Sequence, residues 1–166
     1  MPKKKTEYLT AKQLGLKPTT YKYLIQVQKN LKTGRFSDYY GSGNVFDMSA
    51  ICHAKYDCVK GQPYKCGTAA CLGGWMAILA LGIRPGKKHV YNLTPTREAW
   101  AKRLFRKFVK EGRLLIPPNA WTACHATTME ELFYPGCHHT RTAKQAVKVI
   151  EHFRKTGNVE WERFAD

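Results

Sequence analysis

Residues 66–82, CGTAACLGGWMAILALG, form the longest apolar run in the chain, and this run decides the fold. After Cys66, the only polar side chain in the run is Thr68. A helix of this composition has no polar face, and a helix that is apolar on all sides is typical of a buried core element. The run is shorter than the ~20 residues that span a bilayer, and glycines interrupt it. The sequence therefore predicts a buried central helix over 67–81.

The rest of the chain carries helix start and stop signals, without a period-2 pattern that would indicate strands. Thr94-Pro95 marks one helix start, and Thr140 or Thr142 marks another. Gly34, Gly112 and Gly157 are expected helix stops. We predict an all-α fold, or nearly so, of about five to seven helices around the central helix. Residues 1–9 are expected to be a basic flexible tail, and 10–166 a single helical domain.

The charge balance is strongly positive. The chain has 28 Lys and Arg against 12 Asp and Glu, which gives a net charge of +16. Such an excess favours a polyanionic partner, such as nucleic acid, a nucleoprotein or an anionic membrane. The alternative is a solvated basic surface without a specific partner. No signal peptide or membrane segment is evident, so we expect a cytoplasmic protein that does not bind membranes.

The basic residues cluster on two amphipathic helices and on the loop before the first of them. Arg154 and Lys155 continue the basic face of the last helix. No helix-turn-helix signature, zinc-finger spacing or RNP motif is present, so the pattern favours non-specific binding to nucleic acid. The predicted nucleic-acid-binding residues are Lys87, Lys88, Lys102, Arg103, Arg106, Lys107, Lys110, Arg141, Lys144 and Lys148.

Cys-His dipeptides give a second candidate site. In a reducing compartment six cysteines are expected to be free thiols or metal ligands. Zinc prefers four Cys or His ligands, which separate parts of this chain could supply, although no C-x-x-C knuckle is present. The cofactor prediction is accordingly none, or a structural zinc ion. The candidate ligands are Cys52, Cys58, Cys124, Cys137 and His138.

Nucleophilic catalysis is an alternative. Cys66 precedes the predicted central helix, and the positive end of a helix dipole favours the thiolate. His138 or His139 could act as the base, with Asp47 or Asn119 orienting it. Against a hydrolase, no sheet is predicted to hold the histidine. A plain helix start also explains the residues after Cys66.

Two segments, FDMSA (46–50) and CGTAACLGGW (66–75), resemble a pattern in small uncharacterised proteins of phages and bacteria. The closing stretch 143–161, AKQAVKVIEHFRKTGNVEW, is similar to their last helix. The resemblance covers about half of the chain and implies a phage or bacterial origin without an established activity. The cysteines at 52, 58, 124 and 137 are not part of that pattern.

The leading interpretation is a small, basic, non-enzymatic protein that binds nucleic acid or a nucleic-acid-handling complex. A cysteine-dependent hydrolase centred on Cys66 is the alternative from another class. An inhibitor or structural protein that binds an acidic protein partner is the third possibility. It would use the same charges as nucleic-acid binding.

Overall fold

The structure is a computed structural model, and it describes these parts of the chain: residues 8–36, 45–46, 69–84, 94–111, 132 and 142–165. This part contains four α-helices: α1 (Pro18–Lys32), α2 (Leu72–Ala80), α3 (Pro95–Glu111) and α4 (Ala143–Thr156). A short 3₁₀ helix, Glu162–Phe164, follows α4. The two-residue strands β1 (Val45–Phe46) and β2 (Ala69–Ala70) pair in parallel. An all-α fold, or nearly so, is therefore confirmed for the described residues, whereas the count of five to seven helices stays a prediction.

Helix α2 corrects the predicted bounds of the apolar helix. It begins at Leu72 rather than at residue 67, because Cys71 has extended backbone angles and caps the first turn. The Cys71 sulfur accepts a hydrogen bond from the Gly74 N–H at 3.4 Å. Upstream of the cap, Ala69–Ala70 is paired as β2 and does not extend the helix. The start could not be located from the sequence, because an apolar run without a polar face shows no change in residue pattern where the helix begins.

Helix α2 is buried against two other helices. All residues from Leu72 to Ile78 are buried, as expected for a helix without a polar face. Helix α2 packs against α1 and α3, and α1 packs in turn against α4. Trp75 is fully buried and stacks on Phe36 with 4.2 Å between ring centroids. This packing holds one face of α3 against α2 and leaves the opposite face exposed to solvent.

Local signals place three helix ends correctly: the starts of α3 and α4 and the end of α4. The Thr94 hydroxyl accepts from the Arg97 N–H at 3.3 Å, and Pro95 is the first residue of α3. Thr142, rather than Thr140, caps α4. It forms a full capping box: the Thr142 hydroxyl accepts from the Gln145 N–H, and the Thr142 N–H donates to Gln145 Oε1. Gly157 ends α4 in the left-handed conformation that glycine adopts most readily.

The segment before α1 is held against the body of the domain. Thr10 and Gln13 exchange hydrogen bonds, as in a capping box, and Leu14 and Leu16 are buried. Residues 11–15 form a single hydrogen-bonded turn. Leu9, inside the predicted tail, donates its N–H to the Arg154 carbonyl at 2.8 Å. The tail and the domain boundary otherwise stay predictions.

None of the helices in the described ranges is long and apolar enough to cross a membrane.

Candidate nucleic-acid interface

Helix α3 separates its apolar and basic residues onto opposite faces. Ala101, Phe105 and Phe108 are buried at a spacing of three to four residues, which is one side of a helix. Arg103 and Arg106 lie on the remaining surface and are exposed, as is Lys107, next to Arg106 in the chain. The sequence-based assignment of inner and outer faces is confirmed for these residues.

Three exposed cations in the second half of α3, Arg103, Arg106 and Lys107, are hereafter called the α3 cationic face. Within the described part of the chain, none of the three forms an ion pair with a carboxylate. Three neighbouring positive charges that no described carboxylate neutralises raise the local potential and attract anions from solution. This arrangement is the strongest candidate site that the described residues provide.

Lys102 also belongs to the predicted set, but its environment differs. It is half-buried, and its Nζ donates to Glu98 Oε1 at 2.6 Å, one helical turn away. An i,i+4 pair of this type offsets the lysine charge within the helix. Lys102 therefore contributes less to the positive potential around α3 than the residues of the α3 cationic face do.

Helix α4 divides into two halves with different roles. Lys144 and Lys148, in its first half, are exposed and pair with no carboxylate among the described residues. In its second half, Lys155 donates to Glu151 Oε1 at 3.0 Å, and Lys32 of α1 donates to Glu151 Oε2 at 3.3 Å. The hydrogen bond from Lys155 is the main cause that holds the Glu151 pKa below its ordinary value. Burial opposes it, and the hydrogen bond from Lys32 with the charges of both lysines lowers the pKa further.

Arg154 is a structural residue, not part of a free basic surface as the sequence suggested. Its guanidinium carbon lies 3.9 Å from the centre of the Tyr8 ring. Its Nε donates to the Tyr21 hydroxyl at 3.2 Å and its Nη1 to Gln28 Oε1 at 2.7 Å. The Tyr21 hydroxyl in turn donates to the Leu9 carbonyl at 3.0 Å. One arginine thus joins the segment before α1, α1 itself and α4.

A second basic surface is a cleft of about 400 Å³ between the C-terminal ends of α1 and α2. Cations near a helix C-terminus often serve its free carbonyls, but here backbone and hydroxyl donors already occupy them. In α1 the Lys29 carbonyl accepts from Thr33, the Asn30 carbonyl from Arg35, and the Leu31 carbonyl from Gly34. The lining residues are Gln26, Lys29, Asn30, Thr33, Arg35, Leu79 and Arg84.

Trp100 was not among the predicted site residues. Its side chain is 55% exposed, and it is the large hydrophobic residue that stands out as exposed in the described part of the chain. It lies three residues before Arg103 and seven before Lys107, positions that share one side of a helix. The periodicity of α3 could have found it, because Trp100 falls outside the Ala101, Phe105, Phe108 series.

The remaining predicted site residues lie outside what the structure describes. For the cationic site these are Lys87, Lys88 and Arg141, together with the side chain of Lys110. The same holds for the proposed catalytic residues Cys66, His138 and His139. It also holds for the candidate metal ligands Cys52, Cys58, Cys124, Cys137 and His138.

The catalytic hypothesis placed Cys66 at the N-terminus of the apolar helix, and this placement is corrected. The helix begins at Leu72, so the thiol at its positive end is that of Cys71. Cys71 is fully buried, and its sulfur is engaged by the Gly74 N–H. The dipole argument for an activated Cys66 therefore does not apply to α2. Among the described residues no group of three or more His, Cys, Asp or Glu is arranged to hold a metal ion.

Comparison with protein families, curated proteins and solved structures finds no significant match to this chain. The likeness to phage and bacterial proteins, the cytoplasmic location and the possible zinc ion stay predictions from the sequence. The function must accordingly be argued from the geometry and charge of this chain alone.

Proposed function

We propose that this protein binds nucleic acid, free or within a nucleoprotein complex, through non-specific electrostatic contacts centred on the α3 cationic face. The observation that supports the proposal is the exposure of Arg103, Arg106 and Lys107 without a carboxylate partner among the described residues. Unpaired cations on a rigid helix are the groups that bind backbone phosphates.

The charge distribution favours a polyanion over a small anionic ligand. Helix α1 carries three lysines and no acidic residue, and α3 carries six basic residues against two acidic ones. The cleft between α1 and α2, which Lys29 of α1 lines, adds Arg35 and Arg84. Basic charge spread over several elements suits an extended ligand with regularly spaced phosphates, because each contact releases a counterion. Arginine also matches the geometry of phosphate oxygens with two parallel donors.

The salt dependence of binding tests this proposal. We would titrate a fluorescein-labelled duplex and a labelled single strand with the protein and follow anisotropy at several salt concentrations. The logarithm of the binding constant should fall linearly with the logarithm of salt concentration. Arg103→Ala and Arg106→Ala should each reduce the magnitude of that slope by about 1.

Lys155→Ala is the matched control, because Lys155 is exposed but already paired with Glu151. It should leave both the affinity and the slope close to those of the wild type. Absence of binding at low salt would exclude direct contact with nucleic acid. Equal effects of Lys155→Ala and Arg103→Ala would show that only total charge matters and that α3 is not the site.

An acidic protein partner would use the same charges and needs a separate readout. A pull-down from the native host, with and without nuclease treatment, distinguishes the two. Under the proposal the recovered material contains nucleic acid and is lost after nuclease treatment. A partner that remains bound after nuclease treatment, and is released by Arg103→Glu, would support the acidic-protein alternative instead.

A further inference from the structure

Trp100 carries an inference that the charges alone do not. The other tryptophans that the structure describes are in the core: Trp75 is fully buried and Trp161 is 4% exposed. Trp100 leaves more than half of its surface in water, so folding buries less of its aromatic area than it does for Trp75 or Trp161. Large exposed aromatic groups beside polar residues are typical of binding surfaces.

The neighbours of Trp100 define what it would bind. Arg103 and Lys107 lie one and two turns further along the same side of α3, and both are exposed cations. An aromatic plane next to cations can contact a base and its phosphates together, the combination found in single-strand binding proteins. In a duplex the base faces are stacked on one another, so the ring of Trp100 would meet only a groove or the helix end.

We propose that Trp100 stacks on an unpaired base and that the α3 face therefore prefers single-stranded nucleic acid over duplex. This inference rests on the proposed function, since it assigns the substrate class of the same site. Arg103 and Lys107 hold the backbone next to the stacked base. Stacking on a tryptophan is tolerant of base identity, which agrees with the absence of a sequence-reading motif.

The charge around Trp100 favours a nucleic acid over a protein as the partner of this side chain. A tryptophan anchor in a protein interface is ordinarily desolvated among apolar neighbours, because cations are depleted from the core of such interfaces, arginine excepted. The exposed charged residues nearest Trp100 on its side of α3 are instead basic: Arg97, Arg103 and, two turns further on, Lys107. Charge complementarity therefore favours a polyanion with accessible π faces.

The test compares Trp100→Ala and Trp100→Phe with the wild type on two ligands. One is an oligothymidylate of about 20 nucleotides, long enough for one binding site, and the other is a duplex of equal length. Trp100→Ala should weaken binding to the single strand about 10-fold and change duplex binding less than about 2-fold. Trp100→Phe, which keeps an aromatic face, should recover most of the single-strand affinity.

Arg103→Ala separates this inference from the function on which it rests, because loss of a phosphate contact should weaken both ligands. Unchanged single-strand binding by Trp100→Ala, or equal losses on both ligands, would overturn the stacking role. In that case the weakening caused by Arg103→Ala would leave the electrostatic function standing. Failure of the wild type to bind either ligand would overturn both. Thermal unfolding should show that Trp100→Ala folds as the wild type does, since the side chain is largely exposed.

Discussion

Helices α3 and α4 look alike in sequence but use their cations differently. Each is amphipathic, begins after a capping threonine and carries several basic residues. In the second half of α4, Arg154 is bound to Tyr21 and Gln28 of α1, and Lys155 pairs with Glu151 of the same helix. In α3, Arg103, Arg106 and Lys107 face solvent without a described carboxylate. Similar amphipathic patterns therefore give a structural helix in one place and a candidate binding helix in the other.

The difference comes from what each outer face meets. The C-terminal half of α4 lies beside Tyr8, Tyr21 and Gln28, which offer a ring face and two acceptors to Arg154. Helix α3 contacts α2 through its apolar face, and Tyr23 of α1 reaches it at Phe108. Its cations thus remain available to a ligand because the described neighbours of α3 are apolar or aromatic.

Reversing the charge of the α3 cationic face should have the largest effect on nucleic-acid binding. A small effect would contradict the proposed difference between α3 and α4. The triple variant Arg103→Glu, Arg106→Glu, Lys107→Glu should weaken nucleic-acid binding at least about 100-fold at low salt, because attraction becomes repulsion. Its free energy of unfolding should change little, because the side chains are exposed. Fluorescence anisotropy and chemical denaturation measure the two quantities. The double variant Lys144→Glu, Lys148→Glu should weaken binding less, and the reverse order would move the site to α4.

Removing Arg154 should cost stability rather than affinity. Arg154→Ala loses the contact with Tyr8 and two hydrogen bonds, and it leaves the acceptor of the buried Gln28 unpaired. We expect a loss of about 2 kcal/mol in the free energy of unfolding. Lys155→Ala removes only the adjacent exposed ion pair and should lower the free energy of unfolding by less than about 0.5 kcal/mol. Urea denaturation measures both. Similar small losses in the two variants would remove the structural role of Arg154.

The two capping threonines allow a finer comparison. Thr142 takes part in a reciprocal capping box, whereas the described cap of Thr94 is a single side-chain bond of 3.3 Å. Thr142→Ala should therefore cost about 1 kcal/mol, and Thr94→Ala about half of that. Serine at each position should restore most of the stability, because its hydroxyl accepts the same bond. Urea denaturation measures these differences, and a larger loss at Thr94 would contradict the expected order.

The smallest expected effect is the pH dependence that Glu151 contributes. Its pKa in the folded state lies below the ordinary value of 4.5, chiefly because Lys155 and Lys32 bind the carboxylate. The stabilisation is therefore complete above that value and is lost as the pH falls through the folded-state pKa. The carboxylate is partly exposed, so we expect only a few tenths of a kcal/mol. Between about pH 6 and about pH 3, Glu151→Gln should lose that much less stability than the wild type. An unchanged pH profile in the variant would show that these contacts do not stabilise the fold.

Local signals in the sequence predicted a large part of the described fold. Thr94 with Pro95, and Thr142 with Gly157, act within a single turn, so their effect can be determined without the tertiary structure. The start of α2 could not be predicted in this way. In an all-apolar stretch no alternation of polar and apolar residues shows where the helix begins. The cap is also a cysteine, which is not among the preferred capping residues. The displacement of five residues matters for function, because it removes Cys66 from the helix terminus.

The sequence by itself determined the helical class, the apolar character of α2 and the opposed faces of α3, because these depend on composition and on the period of the helix. Only the tertiary structure decided which cations are engaged. Arg154 and Arg103 are equivalent in an amphipathic pattern, but Tyr21 and Gln28 are more than a hundred residues from Arg154 in the chain. The tertiary structure also showed that Trp100 is exposed while Trp75 is not. Contacts between residues so far apart follow from packing, which local periodicity does not record.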